Sequence, residues 1–188
     1  MNGFDKRREE KNRAIIAAAF ELFNKNGVDA TRITDIAKKA GVSKVSIYNY
    51  SGSKEELARQ VLYAFMDKKL SEFRRFMDSN LSFKEKFDIL YKLKIDSAEV
   101  LHESLYSYKF LLSPKMKQFI NTYYETKTRP LFIKLIEQGK REGDIDSNLS
   151  NEALITYLEA FKDMTSLLLN KKQLIDLAKL VFYGFRGQ

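Results

Sequence analysis

The chain has 188 residues and a formal net charge of +8, with 44% hydrophobic and 31% charged residues. It contains no cysteine and one histidine, which excludes disulfides, thiolate chemistry and cysteine-based metal sites, so we expect neither a metal nor a cofactor. No apolar run approaches the ~18 residues that a membrane helix needs, and no signal peptide is visible, so the sequence predicts a cytoplasmic protein without a membrane partner.

The first predicted helix covers residues 6–26 and stops at Gly27, a residue that favours a left-handed helix end. Its apolar residues recur at helical spacing and predict one buried face, formed by Ile16, Ala19, Phe20 and Phe23. Cations cluster at its start, namely Lys6, Arg7, Arg8, Lys11 and Arg13. A mixed charge run of this kind is usually a solvated surface, so it does not by itself indicate nucleic-acid binding.

Two short helices separated by a tight turn are predicted within residues 31–57. The first has apolar residues at i, i+3, i+4 and i+7, namely Ile33, Ile36, Ala37 and Ala40. Gly41 permits a left-handed helix end, and Ser43 can cap the second helix, at about residues 44–50, by accepting a backbone N–H. This arrangement places a second helix in the major groove of DNA, with Ile47 facing inward.

This stretch and the helix before it resemble the tetracycline-repressor (TetR) family of bacterial transcriptional regulators. The resemblance covers roughly residues 10–60. The matching residues are Ile15-Ile16, Ala18-Ala19, Leu22-Phe23, Gly27, Thr31, Asp35-Ile36-Ala37, Ala40-Gly41-Val42-Ser43, Ile47-Tyr48, Tyr50 and Lys54-Glu55-Glu56-Leu57.

Two residues depart from the family pattern. Val45 stands where the family often has glycine, and Ser51 stands where it usually has phenylalanine. An aromatic-to-small change in a packed core costs ~3–5 kcal/mol if nothing fills the hole. We therefore expect either that Tyr50 or Phe20 fills the space beside Ser51, or that the module is loosened.

DNA contacts are predicted on the third helix and at the starts of the second and fourth. By the resemblance, Lys44 and Tyr48 contact the DNA backbone, Val45 and Asn49 face the bases, and Lys54 binds a phosphate. Free N–H groups at the start of the second helix also favour a phosphate. The full predicted set is Thr31, Arg32, Thr34, Ser43, Lys44, Val45, Ser46, Tyr48, Asn49, Tyr50 and Lys54. The alternative is that the tyrosines pack the module and the lysines only solubilise it.

The remaining sequence predicts helices. Ser53 with Glu56 forms a capping box that opens a long fourth helix through about Met77, and Ser82 with Glu85 forms a second one. A break between helices five and six is predicted near residues 95–100.

Ser113-Pro114 opens a long seventh helix, in which Pro130 should cause a bend or a local break. Gly143 and the polar residues after it end this helix. Helices eight and nine are predicted at about residues 150–169 and from about residue 172.

The predicted fold is therefore all-α, with about nine helices. Residues 1–54 are predicted to form a helix-turn-helix DNA-binding domain, and residues 55–188 a helical ligand-binding and dimerisation domain. The fourth helix, at 1.5 Å rise per residue, is long enough to join the two as a lever.

Aromatic residues are dense in the second domain, and at helical spacing they are more often ordinary core. The resemblance implies a ligand cavity among helices four to seven, for which the candidate residues are Met66, His102, Tyr106, Phe110, Phe119 and Tyr123. A cavity with many rings and few polar anchors favours a small aromatic or amphipathic effector over a sugar or a metal ion.

Helices eight and nine have more apolar surface than one pair of helices needs. We expect them to pack against their symmetry mates as a four-helix dimer interface, with the candidate residues Leu154, Leu158, Phe161, Leu168, Leu174, Leu177, Val181 and Phe185.

These features together predict a homodimeric repressor that is released from a palindromic operator by a small molecule. We expect no enzymatic activity, because nucleophile and phosphate-loop motifs are absent from the sequence. Three alternatives stay open: a regulator that lacks a small-molecule effector, an activator, and a helical protein–protein adaptor whose basic patches are incidental.

Overall fold

The computed structural model describes residues 3–102, 113–164 and 171–183, and within them the secondary structure is helical, without strands. Nine α-helices and one π-helical turn follow one another along the described chain. They are α1 (Gly3–Asn26), α2 (Ile33–Ala40), α3 (Lys44–Ser51), α4 (Lys54–Met77), α5 (Phe83–His102), α6 (Pro114–Tyr123), the π turn (Tyr124–Thr128), α7 (Arg129–Glu142), α8 (Asn151–Met164) and α9 (Lys171–Tyr183). The all-α prediction is confirmed.

The chain forms two compact units. The first comprises Met1–Lys68 and Val100–Lys117, and the second comprises Lys69–Glu99 and Gln118–Gln188. The division falls within α4, so it does not coincide with the predicted domain boundary after residue 54, which stays a prediction. None of the helices in the described ranges is long and apolar enough to cross a membrane.

The core of the first unit is formed by one face of α1 against α2, α3 and the start of α4. Its buried residues are Ile15, Ala18, Ala19, Phe23, Ile33, Ile36, Ala37, Ile47, Leu57, Ala58, Val61 and Leu62. The buried stripe of α1 is rotated from the predicted one, since Ile16 and Phe20 are only half-buried. Residues 14–20 are all apolar, so their spacing alone does not single out one face.

The hydroxyl of Ser51 has a partner that the sequence analysis did not consider. Its side chain is buried, with 4% of the residue exposed, and its Oγ donates a hydrogen bond of 3.3 Å to Oε1 of Gln60. Phe20 instead stacks on Phe65, with ring centroids 5.8 Å apart. The buried hydroxyl therefore has a partner, which removes the penalty of leaving a polar group unpaired in the core.

The helix ends follow the sequence signals closely. α1 ends at Asn26, where Gly27 has φ 78° and its N–H bonds the carbonyl of Phe23 at 2.8 Å. Gly143 likewise ends α7 in a left-handed conformation. Ser113 caps α6 through its Oγ, which accepts the N–H of Met116 at 3.3 Å. α9 begins one residue before its predicted start, whereas the predicted end of helix eight lies outside the described residues.

The two predicted capping boxes differ. In the second, Glu85 accepts the N–H of Ser82 at 2.8 Å and Oγ of Ser82 accepts the N–H of Glu85 at 3.4 Å, so both halves form. In the first, Oγ of Ser53 accepts the N–H of Glu56 at 3.0 Å, but the Glu56 carboxylate bonds Arg59. The sequence pattern alone does not show where the glutamate is engaged.

The predicted break near residues 95–100 is wrong, because α5 continues to His102. The stretch contains no glycine or proline, so nothing in its backbone interrupts the helix. The break predicted at Pro130 is confirmed, because a π turn spans Tyr124–Thr128, and the N–H of Arg129 bonds the carbonyl of Tyr124, five residues back. Proline crowds the carbonyl four residues before it and has no N–H, so a wider turn relieves both constraints.

In the second unit, rings and aliphatic side chains of α4, α5, α7 and α8 form the core. Phe73 packs on Phe76 and meets Phe132 edge-on, with centroid distances of 5.1 and 5.3 Å. Arg129 links α7 to α8, because its guanidinium contacts both carboxylate oxygens of Glu152 at 2.9 and 2.7 Å. Burial raises the pKa of the Tyr124 hydroxyl well above its usual value, so this phenol stays protonated.

Candidate nucleic-acid interface

The turn between α2 and α3 has the predicted geometry. Gly41 is left-handed, with φ 66°, and the N–H of Val42 bonds the carbonyl of Ala37 at 3.0 Å. Ser43 precedes α3 with extended backbone, and its Oγ accepts the N–H of Ser46 at 3.0 Å. The turn is therefore closed entirely by its own residues, and this fixes the direction in which α3 leaves α2.

α3 has one buried side and one exposed side. Ile47 is 1% exposed and anchors the helix in the core of the first unit. Val45 is 66% exposed and Tyr48 40%, and Asn49 is also exposed. Because these three lie at i, i+3 and i+4, they form a single outward face, which we call the reading face. It combines an apolar group, a ring with a hydroxyl and an amide.

Lys44 and Tyr48 interact across one turn of α3. The Lys44 ammonium lies 5.8 Å from the centroid of the Tyr48 ring, a cation–π geometry. An aromatic ring held under an ammonium group keeps both the charge and the phenolic hydroxyl at the first turns of α3. This pair is therefore oriented before any partner arrives.

Thr31, one of the predicted DNA contacts, is buried in the structure, with 2% of the residue exposed. Its hydroxyl lies 2.7 Å from the carbonyl of Gly27 and 3.2 Å from that of Leu22, so it bonds the end of α1. The side chain of Thr31 is therefore a structural link and is not available to a phosphate in this conformation. Sequence reasoning missed this role because a threonine at a helix start reads equally well as a surface group.

Other predicted contacts are partly engaged. The hydroxyls of Ser43 and Ser46 lie 2.8 Å apart and bond each other. The Lys54 ammonium donates to the backbone carbonyl of Asp29 at 2.9 Å, which ties the loop before α2 to the start of α4. An ammonium has three N–H donors, so Lys54 can keep this bond and still meet a phosphate. Arg32 and Thr34, at the start of α2, are exposed, and Tyr50 is half-buried.

The ligand-site candidates are described only in part. Phe119 is half-buried and its ring centroid lies 6.5 Å from that of Tyr123, which is 6% exposed. Met66 is half-buried and belongs to the first unit. Tyr106 and Phe110, like the side chain of His102, lie outside the described residues. The predicted cavity therefore stays a prediction.

The dimer candidates are also described in part. Leu154, Leu158 and Leu177 are half-buried. The side chains of Phe161, Leu168, Leu174, Val181 and Phe185 lie outside the described residues. Two further apolar residues on the same helices are exposed, namely Tyr157, at 53%, and Leu180, at 39%. The predicted dimer interface therefore stays a prediction.

Comparison with known proteins places the reading face in context. Residues 15–61, which span α1 to the start of α4, match the family model for bacterial regulatory proteins of the tetR family. Over 148 residues the chain is 25% identical to the HTH-type transcriptional repressor KstR2 of Rhodococcus jostii (strain RHA1), covering 77% of this chain and 72% of that protein. Over 142 residues it is 30% identical to the uncharacterized HTH-type transcriptional regulator YuxN of Bacillus subtilis (strain 168), covering 76% of this chain and 46% of that protein.

The fold extends the similarity beyond the matched residues. The crystal structure of the transcriptional regulator FadR from Bacillus subtilis in complex with stearoyl-CoA aligns with a TM-score of 0.70. The alignment covers 93% of this chain and 99% of that chain at 19% sequence identity. The two proteins therefore share a fold from the helix-turn-helix into the C-terminal helices.

Proposed function

Because the chain belongs to the TetR family of bacterial transcriptional regulators and is a DNA-binding regulator, we propose that it acts as a homodimeric repressor. In this proposal the dimer binds a palindromic operator and leaves it when a small molecule binds to the C-terminal helices. The observation that carries the proposal is the reading face, on which Val45, Tyr48 and Asn49 are exposed while Ile47 anchors the same helix.

Each residue of the reading face suits a different part of a duplex. The Asn49 amide can bond an adenine edge in two places, and the Val45 side chain can touch a thymine methyl group. Tyr48 and Lys44 present a hydroxyl and a charge that suit phosphate oxygens. Arg32 and Lys54 extend this cationic edge at the starts of α2 and α4. In this arrangement Val45 and Asn49 provide sequence specificity, and the phosphate contacts around them fix the position of α3 on the duplex.

Two such helices are needed for an operator with two-fold symmetry. They must lie about 34–36 Å apart to enter successive major grooves on one side of the duplex. The partly exposed apolar side chains of α8 and α9, including Tyr157 and Leu177, support dimerisation through these helices. A small molecule that prefers a different separation of the two reading helices lowers operator affinity by its differential affinity for the two states.

An amphipathic or aromatic effector is supported by two observations. The second unit is rich in rings, among them Phe119 and Tyr123. The structurally similar FadR from Bacillus subtilis was crystallised with stearoyl-CoA, an amphipathic acyl compound. Burial of an acyl chain or a ring among such side chains gains ~25 cal/mol per Å² of apolar surface, whereas a sugar would need a hydrogen-bond partner for each buried hydroxyl.

Selection of bound duplexes from a random pool tests the core of the proposal. We expect a recovered site with two-fold symmetry and half-sites separated by about 10–10.5 base pairs or a multiple of it. Recovery of an asymmetric site would contradict the dimer, and the absence of enrichment would contradict sequence-specific binding altogether. The selected duplex then serves as the probe for every variant below.

Substitutions on the reading face separate specificity from general affinity. Asn49→Ala should reduce preference at one base pair of each half-site by ~1–3 kcal/mol if its contact is bidentate. Lys54→Ala should weaken selected and random duplexes alike and flatten the salt dependence by about one unit per lost phosphate. Titrations of both variants on both duplexes check this, and equal losses for Asn49→Ala on the two would assign Asn49 to the backbone.

A further inference from the structure

α1 begins well before the core of the first unit. Residues 5–11 are exposed throughout, and the first buried residue is Ile15. At 1.5 Å rise per residue, the segment from Asp5 to Ile15 extends ~15 Å beyond the packed part of the helix. We call residues 5–13 the overhang. Within it, Arg8 and Lys11 are exposed, so a partner can reach their side chains.

The overhang has two sides with different charge. The buried stripe of α1 runs through Ile15, Ala18, Ala19 and Phe23. Counting back from Ile15 by four and by seven residues gives Lys11 and Arg8, so these two cations continue the buried stripe into the overhang. Lys6 and Arg13 lie on the opposite side of the helix.

The acidic residues of the overhang are also unevenly placed. Lys6 has Glu10 four residues after it, and Arg13 has Glu9 four residues before it, which are spacings at which side chains can pair. Lys11 has no acidic residue three or four positions away, and Arg8 has only Asp5, three residues before it. The inner stripe of the overhang is therefore the more strongly cationic side.

The inner stripe faces the side on which DNA would lie. α2 packs against the buried stripe of α1, and α3 follows α2 through the Gly41 turn. A duplex that receives the reading face therefore lies on the same side of α1 as α2 and α3. We propose that Arg8 and Lys11 bind phosphates of the duplex flanking the half-site, beyond the groove that α3 enters. This inference rests on the DNA binding described above.

The expected signature is electrostatic and independent of sequence. Each neutralised phosphate contributes about 0.9 to the slope of the logarithm of affinity against the logarithm of salt concentration. Loss of both contacts should therefore lower the slope by about two per half-site, on selected and random duplexes alike. The protected region on the DNA should also shorten at both ends.

The experiment compares two double variants of the full chain, Arg8→Gln with Lys11→Gln and Lys6→Gln with Arg13→Gln. Each removes one lysine and one arginine from the overhang, so the change in net charge is the same. Glutamine is a good helix former, and the replaced residues are exposed, so both variants should melt at the wild-type temperature. Affinity for the selected duplex is measured between about 50 and 200 mM salt, a range in which phosphate contacts change binding strongly.

We expect the inner pair to lose about two units of slope per half-site, or about four for the dimer, and roughly tenfold or more in affinity at low salt, while the outer pair stays close to wild type. Equal losses for both pairs would show only a long-range effect of net charge and would overturn the inference. Unchanged slopes and footprints for the inner pair would overturn it as well. Failure of the wild type to bind any duplex would instead contradict the DNA-binding function itself.

Discussion

The turn between α2 and α3 is closed by its own residues, whereas the turn between α4 and α5 has local bonds and is also held by side chains of a distant helix. In the first, at residues 41–43, every bond comes from within a few residues, including Val42 N–H to Ala37 and Ser46 N–H to Ser43. In the second, at residues 78–82, side chains of α5 and α7 bond the backbone. Gln138 donates to the carbonyl of Leu81, 57 residues away, at 2.9 Å, and Glu142 accepts the N–H of Phe83, 59 residues away, at 2.6 Å.

Lys86 is the third member of this distant set. It is 4% exposed, and its ammonium donates to the carbonyl of Met77 at 2.9 Å and to Oε1 of Gln138 at 3.0 Å. We call Lys86, Gln138 and Glu142 the clamp. The first turn thus aims a helix at a partner by means of its own residues, whereas the clamp joins three helices of the second unit. A local turn can keep its geometry when its surroundings move, and a clamped turn cannot.

The largest expected effect comes from removing the centre of the clamp. Lys86→Met keeps most of the stem volume but leaves Met77 and Gln138 without their donor, and each buried unpaired acceptor costs ~1–3 kcal/mol. We expect a net loss of about 2–3 kcal/mol in the free energy of unfolding, measured by urea denaturation.

Lys84→Met is the matched control for this substitution. Lys84 lies two residues away, its side chain is 79% exposed, and it meets Asp144 at 3.2 Å. An exposed pair of this kind contributes at most about 0–1 kcal/mol. Similar losses for both methionine variants would show that the clamp has no special role.

The same contrast between local and distant contacts explains which features could be predicted from the sequence. Gly41 and Ser43 act on their own neighbours, so their residue types predicted the turn and the start of α3. Pro130 likewise acts on its own helix and predicted the break. The clamp joins residues more than 50 positions apart, and Lys86 in isolation is typical of a solvated surface. The role of Thr31 was mispredicted although its partners, the carbonyls of Gly27 and Leu22, are near in sequence, because a threonine hydroxyl is equally suited to bond a carbonyl or to face solvent.

The reading face was predictable because exposure there follows from one buried residue. Once Ile47 faces inward, helical geometry makes Val45, Tyr48 and Asn49 face outward. The same rule failed for the stripe of α1, where seven consecutive apolar residues offer several equivalent faces. The packing of α1 against the rest of the first unit buries Ile15 and Ala18 and leaves Ile16 and Phe20 half-buried.

Substitutions of two glycines, Gly139 and Gly41, should change the free energy of unfolding by smaller amounts and for two different reasons. A Cβ at Gly139, in α7, would lie 2.8 Å from both Ile145 Cδ1 and Phe83 Cδ2, whereas one at Gly41 would meet nothing within 4 Å. Overpacking costs ~1–3 kcal/mol, partly offset by the better helix propensity of alanine, so Gly139→Ala should lose about 1–2 kcal/mol. Gly41→Ala should lose about 1 kcal/mol through its left-handed backbone alone.

Asparagine distinguishes the two causes. It tolerates a left-handed backbone, so Gly41→Asn should recover most of what Gly41→Ala loses. At Gly139 the larger side chain should be worse than alanine, because the constraint is space. Thermal melts of the four variants measure this, and recovery by asparagine at Gly139 would contradict the steric explanation.

The two capping serines should give nearly equal losses, although they lie in differently stabilised regions. Ser53→Ala and Ser82→Ala each remove one acceptor from a helix start, which costs about 1 kcal/mol. The glutamates should differ, because Glu85 bonds the backbone of Ser82 whereas Glu56 bonds the Arg59 side chain. Chemical denaturation of Ser53→Ala/Glu56→Gln and Ser82→Ala/Glu85→Gln, beside the serine variants alone, tests this. Glu85→Gln should therefore cost less free energy of unfolding when Ser82 is already replaced by alanine than when Ser82 is present, since the two residues act as one unit.

The smallest effect is a pH dependence that separates the clamp from the surface pair. The hydrogen bond from the N–H of Phe83 lowers the pKa of the Glu142 carboxyl below its ordinary value of 4.5, and the hydrogen bond from Arg59 lowers the pKa of Glu56. Because the folded pKa lies below the unfolded one, each carboxylate stabilises the fold fully above pH 4.5, and that stabilisation is lost as pH falls through the folded pKa.

The melting temperatures of wild type and Glu142→Gln should therefore differ at pH 7 and converge in acid. For Glu56→Gln, added salt at pH 7 should close part of the gap, because salt screens the Glu56–Arg59 ion pair, whereas a hydrogen bond to a backbone N–H depends less on salt. A gap for Glu142→Gln that closes equally in salt would mean that its carboxylate acts as a surface charge and that the clamp depends on Lys86 and Gln138 alone.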